Sequence, residues 1–302
     1  MRSKLLQNGK KMKTYTIENP FLTVKIKQNG AELASIQSKQ DGTEYMWEAD
    51  PQYWGRHSSI LFPIVGKVFE NKYQLNGKAY SLNQHGFARN LPFEVLEQDA
   101  SSISLVLKDN EESLLIYPYR FKFIARYEVK DREVSISYQI ENTDKQSIYF
   151  SVGAHPAFRV PLSADEKRSD YSLVFEKPET IDRHLIEQGY RTGATARMLS
   201  REKELPIHDH LFEKDALIFK DLASDQISLC NSEGKKIWTF SFKGFPYLGI
   251  WSKNEASPFI CIEPWFGVAD QVGGFANFKQ KEGILHLEEK ETFVCQHKVE
   301  IH

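Results

Sequence analysis

The sequence predicts an all-β protein, a large antiparallel β-sandwich with few short helices. Three observations carry this. Apolar and polar residues alternate with period two in run after run, dipeptides that tolerate positive φ separate the runs, and no long segment of helical spacing alternates with them. Without such segments a βαβ nucleotide-binding fold is disfavoured.

Taken in order, residues 1–11 (MRSKLLQNGKK) are polar and basic and are expected to form a disordered leader ahead of a single domain spanning 12–302. Alternating runs follow at LTVKIKQ (22–28), SISLVLK (102–108), FKFIARYEV (121–129), EVSISYQIE (133–141), YSLVFE (171–176), KIWTFSF (236–242), FICIE (259–263) and ILHLEE (284–289). Each places β-branched or aromatic residues on one parity, as a half-buried strand requires. Asn29-Gly30 and Asn76-Gly77 suit tight hairpins, so neighbouring strands should be antiparallel; Asp41-Gly42, Lys130-Asp131 and Glu233-Gly234 mark further turns. The stretch from Ser163 to Lys214 is rich in charge and the least strand-like. It is expected to make long excursions over the sheet, with a helical turn or two at 164–170, 176–184 or 200–205.

With 302 residues, 41% apolar and 13% aromatic, the chain can bury a full core, which excludes disorder and small stapled scaffolds. Thirty-nine basic against 41 acidic residues leave a net charge of −2 with no basic block, so nucleic acid is not an expected partner. No apolar run approaches the roughly 18–20 residues of a membrane span, and no signal-peptide core opens the chain; a soluble, cytoplasmic protein with no membrane partner is expected. Cys230, Cys261 and Cys295 form no close-spaced metal pair and read as reduced core thiols.

Four segments break the alternation. Arg56 and His57 stand before the apolar run of WGRHSSILFPIVGKV; a guanidinium fork suits sugar hydroxyls, carboxylate or phosphate, although a surface salt bridge explains it equally. In LNQHGFARN, glycine after His85 allows close approach to the ring, as either a loop or a site histidine would. FSVGAHPAFRV holds His155 at a strand end before Pro156, or simply caps that strand. In FICIEPWFGVADQ, parity puts Phe259, Cys261 and Glu263 on one face. A carboxylate there would be partly desolvated and a better base near neutrality, with Trp265 beside it as a platform for a sugar ring. Asp215 precedes the strand ALIF and either joins the site or ends pairing. His208-Asp209-His210 lacks a third ligand at fixed spacing, so no metal is expected. Serine-hydrolase, phosphate-loop and dinucleotide signatures are absent. Two histidines, a strand-end carboxylate, an arginine and tryptophans suit acid/base work on a hydroxyl-rich ligand.

These residues resemble the aldose 1-epimerase (galactose mutarotase-like) superfamily, and their order is similar to its LacX-type branch. The resemblance runs from about Thr14 to the C-terminus and rests on Arg56 after WG, QHGFAR around His85, GAHPAF at His155, Asp215, and CIEPWFGVAD around Glu263. It implies one large antiparallel supersandwich, no cofactor and an isomerase of carbohydrate metabolism. It also implies roles: Glu263 as the base that takes the C1-hydroxyl proton, His155 as the acid at the ring oxygen, on opposite sides of the sugar. His85 and Asp215 would hold sugar hydroxyls, with Arg56 lining the pocket. Arg56, Lys67 and Arg89 could serve a phosphorylated hexose. The expected partner is a small-molecule sugar, and assembly as a homodimer is compatible with the sequence. A non-catalytic sugar binder using Trp265, Trp251 and Arg56, and a glycoside-processing enzyme using Asp215 and Glu263, remain open.

Overall fold

In a computed structural model, residues 12–274 and 277–302 are described, and the expected leader at 1–11 lies outside them. The dominant element is a 14-stranded antiparallel sheet. From one edge its strands run Ser58–Leu61, Val152–Arg159, Phe259–Phe266, Tyr247–Trp251, Leu217–Lys220, Tyr171–Glu187 and Gln226–Asn231. They continue through Lys236–Ser241, Thr292–Ile301, Glu133–Asn142, Phe121–Lys130 and Ser102–Lys108 to Glu94–Gln98, and the fourteenth, Tyr190–Pro206, pairs with Tyr171–Glu187 off this path. A three-stranded sheet of Thr14–Glu18, Leu22–Lys27 and Leu33–Ser38, a small hairpin of Lys72–Leu75 and Lys78–Ser81, and a two-stranded pairing of Ile148–Phe150 with Leu285–Leu287 accompany it.

Strands far apart in that order meet face to face. Phe158 of the second strand lies 4.5 Å from Trp238 of the eighth, and Phe62, just past the edge strand, packs 5.0 and 5.1 Å from Phe121 and Phe123 of the eleventh. The sheet therefore curls over itself into a sandwich, as a long twisted sheet with one apolar face must. Alternation is strict where one face is covered: Phe121–Lys130 and Glu133–Asn142 bury every second side chain. Asn76 and Gly77, at φ 50° and 76°, link Lys72–Leu75 to Lys78–Ser81 in a two-residue hairpin.

The region from Ser163 to Lys214 differs from expectation. Its excursion is the longest strand pair of the protein, Tyr171–Glu187 against Tyr190–Pro206, so the helical turns expected at 176–184 and 200–205 are strands. Only Arg168–Asp170 makes a 3₁₀ turn. Past Phe175 the ribbon crosses four register shifts and leaves most of its side chains exposed or half-buried, so no continuous buried stripe imprints a period on its sequence. Gln188 and Gly189 turn it at φ 53° and 81°. The short α-helix Glu111–Ile116, capped by Asn110 and Ser113, has no counterpart in the sequence reading.

Candidate active site

His155 and Glu263 come from adjacent strands. The register that pairs Gly153 with Trp265 and Ala157 with Cys261 leaves these two directly opposite each other. Pro156 and Pro264 lack amide hydrogens, and the ladder between the two strands is interrupted beside them. As parity predicts, Ile260 and Ile262 enter the main core while Phe259 and Cys261 join a separate cluster with Trp47 and Ala157. Glu263 thus reaches His155, with Oε2 3.1 Å from Nε2, at 2% and 7% residue exposure. The two groups are neighbours on one wall, a correction to the expectation of opposite sides: both strands present their site residue to the same face of the sheet.

Burial, and secondarily the Asp215 carboxylate, push the Glu263 carboxyl well above its ordinary range. Burial, with Arg89 nearby, pulls His155 down. Both shifts favour a pair that carries a single proton, on Glu263, and two groups in such contact titrate as a unit.

Aromatic rings fix this pair. Trp54 stacks on the His155 ring at 4.7 Å and 25°, and Trp251 meets it edge-on at 5.6 Å. Trp265 is seated by glycine. A Cβ on Gly153 would fall 2.6 Å from its Cδ1, and one on Gly249, which pairs with Glu263, would strike its six-membered ring. The Trp265 indole Nε1 is buried without a partner among the described residues.

His85 faces His155, ring centroids 5.7 Å apart. It adopts φ 65° ahead of Gly86 at 69°, uncommon for a histidine, and is held there by its amide donating to the Gly66 carbonyl. The Gly66 amide in turn donates to His85 Nδ1 at 3.1 Å, which assigns the proton of the neutral ring to Nε2, beside Gln84. Burial, then His155, holds His85 well below the usual imidazole value, so it meets a ligand as a neutral N–H donor.

These groups line one cavity of about 280 Å³ with Gln84, Arg89, Ile186, Gly189 and Asp215. Asp215 sits exposed at the rim, its Oδ1 accepting from the Ala216 amide. Gly189 brings the hairpin turn over the opening, tied by Lys67 Nζ donating to the Gln188 carbonyl at 3.0 Å.

Of the sequence-derived residues, the fold brings together His85, His155, Asp215, Glu263 and Trp265 but not Arg56. Arg56 stands behind the wall and donates to the Arg89 carbonyl and Asn90 Oδ1, so it braces the turn whose Arg89 reaches the cavity. Trp54 and Gln84 were missed as lining residues. Their only signal was adjacency, Trp54 two places before Arg56 and Gln84 one before His85. His208 and His210 lie outside the cavity.

A protein-family model described as aldose 1-epimerase matches residues 13–273. The chain is 35% identical over 266 residues to the chromosomal protein LacX of Lactococcus lactis subsp. lactis, covering 85% of this chain and 88% of that one. A galactose mutarotase related enzyme from Lactobacillus acidophilus superposes with TM-score 0.91 at 34% identity, over 96% and 97% of the two chains. A galactose mutarotase-like protein from Lactobacillus casei gives 0.90 at 33%, over 96% and 100%.

Proposed function

The chain belongs to the aldose 1-epimerase family, in its LacX-type branch, and from that premise we propose that it interconverts the α and β anomers of a hexose or hexose phosphate by acid/base ring opening, without a cofactor. The observation that carries the reading is the His155–Glu263 contact of 3.1 Å in the cavity wall. Anomer exchange needs a proton taken from the C1 hydroxyl and another given to the ring oxygen. Both oxygens are bonded to C1, so an acid and a base that are neighbours on one wall can serve both.

Once the pair's one proton has passed from Glu263 to His155 across their contact, the Glu263 carboxylate accepts the C1-hydroxyl proton while His155 donates to the ring oxygen. The ring C–O bond breaks, an aldehyde forms, and rotation about C1–C2 precedes reclosure with both protons returned. Because the pair shares one proton, whichever member holds it serves as acid and the other as base, so opening and closing need no second set of groups. Neutral His85 donates to a hydroxyl, Arg89 and Asp215 hold the far side of the sugar, and Trp265 supplies a flat apolar wall. Trp54 keeps the His155 ring from turning. A cavity near 280 Å³ is at the lower limit for ligand pockets and suits one monosaccharide.

The test is relaxation of freshly dissolved α-anomers toward equilibrium, followed by polarimetry or NMR exchange across free and phosphorylated hexoses. Acceleration above the spontaneous rate supports the proposal. Saturable sugar binding with no acceleration of any aldose would leave a non-catalytic binder instead, and cleavage of a nitrophenyl glycoside would favour the glycosidase reading.

A further inference from the structure

Anomer exchange makes no use of Cys261, yet this thiol lies two residues before Glu263 on the same face of the strand and is fully buried. Its Sγ, an imidazole nitrogen of His155 and a carboxylate oxygen of Glu263 all lie within 4.8 Å of one another. That is a sulfur, a nitrogen and an oxygen donor converging on one point, with His155 and Glu263 open to the cavity. Tetrahedral zinc, with bonds of about 2.0–2.3 Å, needs its ligands roughly 3.3–3.8 Å apart, so donors within 4.8 Å of one another need close by no more than about 1 Å. A second observation points the same way. His155 Nδ1 is buried with no partner among the described residues, so no hydrogen bond at that nitrogen commits the ring to its present protonation.

We propose that these three side chains form an inhibitory site for a thiophilic divalent cation such as Zn²⁺, with the cavity supplying the fourth position. Mixed sulfur, imidazole and carboxylate donors select zinc-like ions over Mg²⁺ or Ca²⁺. The bound ion takes the thiolate, neutral imidazole and carboxylate forms, releases two protons to solvent, the thiol's and the one held by the His155–Glu263 pair, and occupies both groups that would serve a sugar. Asp215 at the rim offsets the unfavourable charge of Arg89 as the cation enters. The inference rests on the donor geometry and holds even if the protein only binds sugars.

The test titrates chelator-treated full-length protein with Co²⁺ and then Zn²⁺. The wild type should show a sulfur-to-cobalt charge-transfer band at one equivalent, displaced by Zn²⁺ and absent with Mg²⁺. The Cys230→Ser/Cys295→Ser double variant should keep the band. Cys261→Ser should abolish it and weaken Zn²⁺ binding by more than about tenfold, given that even outer-shell changes typically cost 10–100-fold. X-ray absorption of the wild-type zinc form, which needs no variant to fold, should find one sulfur at about 2.3 Å with nitrogen or oxygen neighbours. A zinc shell without sulfur, or a band that survives Cys261→Ser, overturns the site. So does the absence of stoichiometric binding by the wild type.

Discussion

Replacing Glu263 by glutamine separates chemistry from architecture. Burial favours the neutral acid form of this side chain, so Glu263→Gln exchanges one neutral planar group for another of the same size. The amide can still meet His155 Nε2 at the present 3.1 Å. Stability should therefore change by less than about 1 kcal/mol, within the range of a replaced hydrogen bond. Proton transfer fails entirely at that position, because an amide neither accepts nor delivers a proton near neutrality. Positioned proton transfer is worth roughly 10²–10⁴ in rate, so kcat should fall by that factor, about 2.7–5.4 kcal/mol of barrier. NMR exchange between anomers at equilibrium, corrected for spontaneous mutarotation, measures it, and thermal melts alongside report the fold. A variant that turns over within tenfold of wild type, with an unchanged melt, refutes the assignment of Glu263. A variant that loses activity only because it unfolds refutes the claim that the resting carboxyl is neutral.

Activity against pH should be a broad bell, since a second proton on the His155–Glu263 pair leaves no base and loss of its one proton leaves no acid. His155 is lowered and Glu263 raised, so the acid limb should fall below the ordinary imidazole value near 6.5 and the alkaline limb well above the carboxylate range; a limb at about pH 4.5 limiting the alkaline side would contradict this. His297 is buried in the core against Phe240 and held by burial at about 3, so the unfolded chain binds its proton first. Its contribution is present above pH 6.5 and is lost as pH falls, by about 1 kcal/mol between pH 6.5 and 5.5. Denaturant melts of His297→Phe should show a correspondingly shallower loss over that interval. Gly249→Ala should displace the Trp265 indole, costing about 1–3 kcal/mol and raising KM, with altered tryptophan emission as the readout. Lys281→Met should cost about 3–5 kcal/mol by stranding buried Asp270, whose Oδ1 is 2.6 Å from Lys281 Nζ, and adding Asp270→Leu should recover part of that loss in melts.

How much could be read beforehand depended on whether a residue's surroundings were local in sequence. Phe259, Cys261 and Glu263 share a face because side chains alternate along any strand, so parity alone placed Glu263 away from the main core. Tyr171–Phe175 was legible for the same reason, but the rest of the paired strands through Pro206 was not: largely exposed past Phe175, it carries no continuous alternation to detect. Arg56 and Arg89 show a different limit. Either arginine could line a pocket, and only the turn at Ala88–Asn90, closed against Phe62, decides which one does.

The stacking of Trp54 on His155 is the least local feature and the most informative about mechanism. A histidine that alternates between acid and base must not swing away when it loses its charge, and the pull of Glu263 on it weakens once both groups are neutral. Hydrogen bonding fixes His85 through Gly66, but His155 Nδ1 has no such partner among the described residues. Packing between Trp54 and Trp251 is indifferent to protonation, so it can hold the ring in both forms. Trp54→Ala should therefore slow anomer exchange far more than it weakens sugar binding, whereas an equal loss in both would make Trp54 a simple contact for the sugar.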